Sequence, residues 1–463
     1  MEQIQFPKDF LWGSATASFQ IEGAGEPAQR GESIWDRYCR TPGNILDGSD
    51  GKTACDHFHR FEEDVRLMEQ LGLHSYRLSV SWPRILPEGM GRVHQDGLNF
   101  YKRLLECLRT HRIQPLVTLY HWDLPQRLQE RGGWQNRETV DAFVAYAEIL
   151  FRELRPWVNN WVTFNEPYCT AFLGHWVGRH APGIRDYAAA VQVSHHLLLA
   201  HGKTVRLLRQ TTPNAKIGIV LNMNSYYPHQ NTEEDRRAAE WNYQAWNSWF
   251  ADPIFKGGYP QEVLALYEAE GLAPRREPGD MALIHQPIDF LGLNHYFSET
   301  VSANPDVWPT RSETHPLGDT RTAMGWGVYP QGIHDLLARL DRDYQHPPIF
   351  ITENGAAYPD HPAEDGLVRD PERQDYLARY LYQVHRAIRE GVDVRGYYLW
   401  SLMDNFEWAF GYTKRFGIVY VDYATQARTV KQSGHWYANV IQNNGFVYDG
   451  AGQPAEASKA NPS

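Results

Sequence analysis

Two glutamates stand in short motifs that suit acid–base and nucleophilic chemistry. Glu166 lies in TFNEP (163–167) and Glu353 lies in ITENG (351–355). Two carboxyl groups that flank one glycosidic bond can hydrolyse it, and a separation of about 5–5.5 Å leaves no room for an inserted water, so one group becomes the nucleophile. The two motifs therefore predict a carboxyl pair that cleaves a glycosidic bond with retention of the anomeric configuration.

The charges around this pair assign the two roles. Two carboxylates so close cannot both ionise easily, so we expect one pKa to rise and the other to stay low. Arg77 is the neighbour expected to keep Glu353 ionised, with the Tyr296 hydroxyl as an orienting donor. Glu166 then keeps its proton. We predict Glu353 as the nucleophile and Glu166 as the general acid and base.

These side chains need a fold that brings distant segments together. Eight short apolar and β-branched runs predict strands, and most are separated by segments with an apolar residue every three or four positions. The runs are 10–17, 75–82, 114–122, 159–166, 216–223, 289–296, 348–354 and 394–402. Strands that alternate with helices form a parallel sheet, and eight such units close a barrel. The predicted fold class is α/β, as a single (β/α)8 TIM barrel.

Polar residues end several of these strands. They include Arg77, His121, Asn165, Glu166, Asn294, Tyr296, Glu353 and Asn354. The carboxyl ends of barrel strands share one rim, where active sites lie, so we expect these residues round one pocket. Two long loops, 301–326 and 356–371, are predicted to elaborate this rim. The rival fold, a doubly wound open sheet, has little support because no G-x-G-x-x-G follows the first strand.

Composition narrows the class of protein. The 463 residues carry a net charge of −11 and are 42% hydrophobic and 22% charged, as in a folded globular chain. The acidic balance, with no Lys/Arg run, argues against a nucleic-acid partner and against an anionic membrane surface. We expect one catalytic domain over residues 1–448 and a flexible tail over 449–463.

The cysteines and the first residues predict the compartment. Cys39, Cys55, Cys107 and Cys169 have no paired metal-type spacing and are interpreted as free thiols. No apolar run is long enough to span a membrane, and MEQIQFPKDF lacks a basic segment followed by an apolar core. These features favour a cytoplasmic protein. Neither a metal nor another cofactor is expected.

Taken in order, the motifs resemble those of the β-glucosidases of glycoside hydrolase family 1, over about residues 4–445. Beyond TFNEP and ITENG, they are FLWGSATASFQIEGA (10–24), SIWD (33–36), YRLSVSWPRI (76–85), YHWDLP (120–125), LGLNHY (291–296), MGW (324–326) and LWSLMDNFEWAFGYTKRFGIVYVD (399–422). The resemblance implies a two-step mechanism through a covalent glycosyl-enzyme. At the matching positions, Glu166 is the acid and base, Glu353 is the nucleophile, and Arg77 and Tyr296 tune the nucleophile.

The resemblance also implies a site for one sugar ring, because indole faces pack on C–H groups while amides and carboxylates bind hydroxyls. The substrate-binding set is Gln20, His121, Asn165, Asn294, Trp326, Trp400, Glu407, Trp408 and Phe416, with Trp400 as the floor and Trp326 on the leaving-group side. Two positions depart from the family pattern. His295 replaces an aromatic residue, and Tyr168 replaces a tryptophan, which could change the leaving-group preference.

The expected activity is hydrolysis of terminal non-reducing β-D-glucosyl residues from small β-glucosides and cello-oligosaccharides. One alternative is a 6-phospho-β-glycosidase, but Glu407 would repel a phosphate, and phosphate-binding relatives tend to have Tyr at the position of Phe416. Another alternative is a non-catalytic sugar-binding barrel, which would be expected to lose one of the two glutamates. The sequence leaves open glucose, galactose or fucose as the sugar, and it leaves open the oligomeric state.

Overall fold

The computed structural model of the chain describes residues 1–25 and 30–450, and its centre is a closed barrel of eight parallel strands. We number these strands in chain order. They are β1 (Leu11–Ala15), β2 (Ser75–Ser79), β3 (Gln114–Tyr120), β4 (Asn160–Asn165), β5 (Lys216–Asn222), β6 (Phe290–Asn294), β7 (Ile349–Asn354) and β8 (Val394–Trp400). Each strand lies within one of the eight predicted runs, so the predicted (β/α)8 fold class is confirmed.

Neighbouring strands pair in chain order round the ring, and β8 closes it against β1, with Trp400 opposite Ala15. Residues of all eight strands contribute to one hydrophobic core, because helices cover the outside and side chains fill the inside. β4 and β7, whose ends carry Glu166 and Glu353, do not lie on opposite sides of the barrel, because only β5 and β6 separate them along the shorter arc.

Helices pack round the strands and follow the predicted spacing. In His57–Gln70, for example, Phe61, Val65 and Met68 are buried. The α-helices are Ser18–Ile21, Ile34–Cys39, His57–Gln70, Trp82–Ile85, Gln95–Thr110, Gln126–Gln129, Glu138–Leu154, Tyr187–Thr211, Glu233–Asn242, Trp249–Lys256, Gln261–Ala269, Asp280–Ile284, Gln331–Asp343, Pro371–Arg389 and Gln432–Asn443. Single turns of 3₁₀-helix lie at Gly133–Gln135 and Trp408–Phe410, and π-helices lie at Cys169–Val177 and Tyr243–Ser248.

The segment 301–326 is not the long loop that the sequence predicted. Glu299–Ala303 and Ser312–Pro316 form an antiparallel hairpin, and Tyr226–Pro228 adds a third strand to it. The Pro, Thr and Asp residues that suggested a loop lie mainly between and after these short strands, so composition masked them. This hairpin forms one wall above the carboxyl ends of the barrel strands. In 356–371, only an isolated bridge joins Pro362 and Val368 before the helix that starts at Pro371.

Other short strands tie the two ends of the chain together. Glu2–Gln5 pairs with Gly445–Tyr448, and Val419–Val421 pairs with Arg428–Val430. The tail predicted for 449–463 lies outside the described residues from 451 onward. No helix within 1–25 and 30–450 combines the length and apolarity needed to cross a membrane.

A group of charged side chains lies buried beneath the C-terminal segment. We call Asp360, Asp370, Asp404, Arg373, Arg415 and Lys431 the buried ion cluster. Lys431 Nζ contacts Asp360 at 2.5 Å and Asp404 at 2.7 Å, and Arg415 contacts Asp404 at 2.6 Å. Three carboxylates and three cations thus balance one another where water is excluded, which is the arrangement that buried charges require.

Candidate active site

Glu166 follows the last residue of β4, and its backbone turns there into the left-handed region with φ of 47°. Residues with a side chain rarely adopt this region, and conformations of this kind cost about 1–3 kcal/mol and cluster at functional sites. Asn294 Nδ2 donates to Glu166 Oε1 at 2.7 Å, and the Cys169 thiol donates to Oε2 at 3.1 Å. Both carboxyl oxygens are therefore held, which fixes the direction of the group.

Glu353 lies in β7 and is held by the two residues that the sequence proposed as its neighbours. Arg77 Nη1 donates to Glu353 Oε1 at 2.5 Å, and the Tyr296 hydroxyl donates to Oε2. Arg77 is only 1% exposed, so its charge acts in a medium that screens it little. A Cβ at Gly355 would lie 1.8 Å from the Trp400 carbonyl oxygen, so the glycine of ITENG lets the end of β7 pass against β8.

The pKa values of these carboxyl groups are shifted upward. Burial raises the pKa of Glu166 to about 7, and the negative charge of Glu353 adds to that rise. Burial also raises the pKa of Glu353, although Arg77 and the Tyr296 hydroxyl oppose the change. The expectation that the pKa of Glu353 stays low is wrong in direction, because desolvation outweighs the guanidinium. Burial raises the pKa of Glu407 to about 8, with both other carboxylates contributing.

An amide at the end of β4 joins the two halves of the site. Asn165 Oδ1 accepts from Arg77 Nη2 at 2.6 Å and from Asn294 Nδ2 at 3.0 Å, and its Nδ2 donates to His121 Nε2 at 3.0 Å. Burial lowers the pKa of His121, and the charge of Arg77 adds to this, so the imidazole is neutral. Since Nε2 accepts a hydrogen bond from Asn165 Nδ2, Nδ1 carries the N–H and can donate to a ligand.

Aromatic rings form one side of the site. Trp408 lies 4.5 Å from Trp122 between ring centroids and 5.8 Å from His121, and Trp400 lies 6.0 Å from His121. Both Trp122 (φ 79°) and Trp408 (φ 49°) have left-handed backbones, which makes three such residues at this site together with Glu166. Local backbone strain at these three residues therefore accompanies the placement of two indoles and a carboxyl group at the site.

Three buried polar atoms next to these rings have no hydrogen-bond partner in the described residues. They are Gln20 Oε1, His121 Nδ1 and Glu407 Oε2. Gln20 cannot simply rotate to satisfy its oxygen, since its Nε2 donates to Asn405 Oδ1 at 2.9 Å and to the Phe406 carbonyl at 2.8 Å. A ligand that offers several hydroxyl groups would satisfy all three atoms, whereas an apolar ligand would leave them unpaired.

These groups surround a cavity of about 780 Å³ at the carboxyl ends of the strands. The sequence-predicted residues that line it are His121, Glu166, Asn294, Tyr296, Trp326, Glu353, Trp400, Glu407, Trp408 and Phe416. Gln20, Arg77 and Asn165 are not among the residues of its wall. Arg77 and Asn165 lie behind it and form hydrogen bonds with the wall residues Glu353 and Asn294, and Gln20 is held by Asn405 and Phe406. The cavity thus gathers residues from the whole length of the chain.

Sequence reasoning missed several residues of this wall. Trp122, His180, Trp246, Arg179 and Glu299 all line the cavity. Trp122 carried a signal, because it lies inside YHWDLP, and its Nε1 donates to the Asn165 carbonyl at 2.9 Å. The other four lie in rim segments outside the quoted motifs, so nothing in the local sequence marked them.

Within 1–25 and 30–450, His, Cys, Asp and Glu side chains do not gather in threes as metal ligands would. What the rim does gather is two carboxyl groups, one held by a guanidinium and one left with a high pKa, beside a wall of indoles and unpaired polar atoms. A (β/α)8 barrel with such a site belongs to the class of glycoside hydrolases that use two carboxyl groups.

Comparison with known proteins gives the family. The profile of glycosyl hydrolase family 1 matches residues 2–446, and the chain belongs to this family. It is 51% identical over 448 residues to beta-glucosidase A of Acetivibrio thermocellus, and this match covers 96% of this chain and 100% of that protein. It is 48% identical to the 1,4-beta-D-glucan glucohydrolase of Thermotoga neapolitana, over 96% of this chain and 99% of that one.

The fold agrees with that of a solved relative. The structure of the family 1 β-glucosidase of Thermotoga maritima superposes with a TM-score of 0.94 at 48% identity, and the match covers 96% of this chain and 100% of the other. The resemblance drawn from the motifs is thereby confirmed for the family and for the barrel.

Proposed function

We propose that this chain is a retaining β-glucosidase that removes terminal β-D-glucosyl residues from the non-reducing end of small β-glucosides and cello-oligosaccharides. By name, the two relatives given above are a beta-glucosidase and a 1,4-beta-D-glucan glucohydrolase, which supports this proposal. The observation that carries the proposal is the asymmetry of the carboxyl pair. Glu353 accepts hydrogen bonds from Arg77 and Tyr296, while Glu166 has no cation within ion-pair distance in the described part of the chain.

In the first step, the Glu353 carboxylate attacks the anomeric carbon while the bond from that carbon to the leaving oxygen breaks. Glu166 gives its proton to the leaving oxygen, which departs as an alcohol. A pKa of about 7 suits this transfer, because the group is protonated near neutral pH and still acidic enough to donate. The product of the step is a glycosyl ester on Glu353 with inverted configuration.

In the second step, Glu166 takes a proton from a water molecule while the water oxygen attacks the anomeric carbon. The bond from that carbon to Glu353 breaks, and Glu353 leaves as a carboxylate. The negative charge of Glu353 is absent from the ester, so its contribution to the pKa of Glu166 disappears. The pKa of Glu166 therefore falls at the stage where it must act as a base. The second inversion restores the original configuration, and both carboxyl groups return to their starting states.

Hydroxyl recognition is proposed for the residues next to the unpaired atoms. Gln20, His121 and Glu407 offer an acceptor, a donor and a carboxyl group, and Trp400 offers a flat face for the ring. Asn294 donates to Glu166 and to Asn165, and both amides suit the 2-hydroxyl, whose hydrogen bonds strengthen in the transition state. Trp408 and Phe416 complete this wall, and Trp326 and Tyr168 would meet the leaving group.

The alternatives have less support. A 6-phosphorylated sugar needs cations, but among the described residues lining the cavity the only lysine or arginine is Arg179, which is exposed at the surface. The inner cavity instead holds Glu407. A non-catalytic sugar-binding barrel would have no need for a nucleophile tuned by Arg77.

We also propose a single catalytic domain over 1–448 and a cytoplasmic location. The four free thiols favour that location.

The test is hydrolysis of cellobiose and of methyl β-cellobioside, with no metal or cofactor added. The methyl β-cellobioside reaction is followed by proton NMR from the first minutes, because its blocked reducing end makes the non-reducing unit the source of the free glucose. We expect β-glucose to appear first from the non-reducing unit and α-glucose only as it mutarotates. Early α-glucose would contradict retention. Cleavage of 6-phospho-cellobiose with none of cellobiose would instead establish the phosphorylated alternative, and binding of cellobiose without cleavage would establish the sugar-binding one.

A further inference from the structure

Arg179 is the one cationic side chain, lysine or arginine, that lines the catalytic cavity within the described residues. It follows the π-helix Cys169–Val177, and it is solvent-exposed. The carboxyl groups that line the same cavity are Glu166, Glu299, Glu313, Glu353 and Glu407. A single guanidinium therefore faces a cavity whose other ionisable side chains with formal charge are acidic.

Arg179 makes no ion pair within 1–25 and 30–450, although the chain is rich in carboxylates. Other exposed arginines do find partners, as Arg37 does with Glu32 at 3.0 Å. The Arg179 guanidinium lies 6.0 Å from the centroid of the Phe410 ring, and Lys414 Nζ lies 5.4 Å from the same centroid. Two cations thus share one aromatic ring, and neither makes an ion pair with a carboxylate within the described residues.

Aromatic side chains lead from the glutamates towards this cation. Tyr168 is two residues beyond Glu166, and Trp246 packs edge-on against it at 5.6 Å between centroids. Burial raises the pKa of Tyr168, Cys169 and Glu299 add to the rise, and the charge of Arg179 opposes it. Tyr168 is therefore close enough to Arg179 to feel its charge. The part of the cavity next to Glu166 is therefore lined by aromatic rings, and Arg179 lines the same cavity.

Two further carboxyl groups line the cavity, those of Glu299 and Glu313. Both belong to the hairpin of Glu299–Ala303 and Ser312–Pro316, whereas Arg179 follows the π-helix. Glu313 accepts a hydrogen bond from Asn304 Nδ2 at 2.9 Å. A negatively charged group in the cavity therefore has Arg179 as its one lysine or arginine partner among the described lining residues.

We propose that Arg179 binds the carboxylate of an aryl leaving group, so that β-glucosides of phenols carrying a carboxylate are a preferred substrate class. A guanidinium offers paired N–H donors that match a carboxylate, and the aromatic wall suits the phenyl ring. This proposal rests on the proposed β-glucosidase function. It adds a determinant of specificity on the leaving-group side and leaves the chemistry at the anomeric carbon unchanged.

The test uses two substrates that differ only in charge: 4-(2-carboxyethyl)phenyl β-D-glucoside and its primary amide. Two methylenes insulate the phenol from the substituent, so both leaving groups have similar reactivity. We expect kcat/KM to favour the carboxylate about three- to five-fold, the effect of one exposed ion pair, and high salt to reduce the ratio. An equal kcat/KM for the two substrates would overturn the proposal.

Two variants make the test specific to the site. Arg179→Gln is expected to remove the preference for the carboxylate, measured as the ratio of the two kcat/KM values. Arg155→Gln removes an equal charge from an exposed arginine that follows the helix Glu138–Leu154 and does not line the cavity, and it is expected to keep the preference. Loss of the preference in both variants would show a long-range charge effect and would overturn the assignment to Arg179.

The outcomes also separate this proposal from the one on which it rests. Hydrolysis of the amide with no preference for the carboxylate contradicts only the role of Arg179. Failure to hydrolyse either glucoside, in a folded protein, contradicts the proposed β-glucosidase function as well.

Discussion

Glu166, Glu353 and Glu407 of the catalytic cavity and the three aspartates of the buried ion cluster are balanced by cations in different ways. In the cluster, Asp360, Asp370 and Asp404 form ion pairs with three cationic side chains. In the cavity, Arg77 contacts only one of Glu166, Glu353 and Glu407. Balanced charges in the cluster hold segments of chain together. In the cavity, the carboxyl groups without a cation, Glu166 and Glu407, have raised pKa values and can hold a proton near neutral pH. The unpaired polar atoms beside them can form hydrogen bonds with a ligand.

The largest expected effect comes from removing the one carboxyl group of the cavity that has a cation. Glu353→Ala is predicted to lower kcat for an aryl β-glucoside on the order of 10⁴-fold or more, because no nucleophile remains. Its thermal midpoint should stay close to that of the parent, since water can solvate Arg77 from the cavity.

Added azide sharpens this prediction. A small anion can enter the space left by Glu353 and attack the anomeric carbon from that face. We expect partial recovery of activity and an α-glucosyl azide product, identified by NMR. A β-glucosyl azide would place the nucleophile on the opposite face and contradict the assignment.

The carboxyl group without a cation is predicted to matter according to the leaving group. Glu166→Gln cannot donate a proton, so hydrolysis of cellobiose should fall about 10²- to 10⁴-fold. Formation of the glycosyl-enzyme from 2,4-dinitrophenyl β-glucoside should be much less affected, because that leaving group needs no proton. Pre-steady-state release of dinitrophenol measures this step. Equal losses for both substrates would contradict the role as acid.

Removing one cation from the buried ion cluster should lower the free energy of unfolding and leave the catalytic activity unchanged. Lys431→Met leaves Asp360 and Asp404 short of a cation and is predicted to lower the free energy of unfolding by about 3–5 kcal/mol in urea titrations. Lys216→Met, at an exposed lysine, is the matched control and should change it by no more than about 0.5 kcal/mol. If both variants lose the same stability, the cluster has no special role.

Per pH unit, the smallest of these effects is expected in the pH dependence of stability. Glu407 has a pKa of about 8 in the folded chain against 4.5 without burial, so the folded state holds a proton that the unfolded state has released. Its contribution therefore falls as the pH rises from about 4.5 to 8, by at most about 1.4 kcal/mol per pH unit.

Glu407→Gln should remove part of this slope, so its unfolding free energy should decline less than that of the parent between pH 5 and pH 8. Glu313→Gln, at an exposed carboxyl group of the same cavity, is the control and should keep the parent slope. Identical slopes in the parent and Glu407→Gln would contradict the imbalance that separates the cavity from the cluster.

Much of the fold was predictable because the barrel strands are continuous apolar runs bounded by polar ends. The same pattern located Glu166 and Glu353 at the rim, since the side chains that follow a buried strand must face its open end. The hairpin of Glu299–Ala303 and Ser312–Pro316 was not predictable. Its strands are short and polar, and their pairing depends on contacts with Tyr226–Pro228 from another part of the chain.

By itself, the sequence determined the residue types of the site, the order of the strands and the family to which the chain belongs. The tertiary structure alone decided which charges meet. It buried Glu353 deeply enough to raise its pKa despite Arg77, placed Glu407 beside both glutamates, and left Arg179 at the cavity mouth without an acidic partner in the described chain. The physical reason is that electrostatic energies depend on distance and desolvation, and both are fixed only when remote segments pack together.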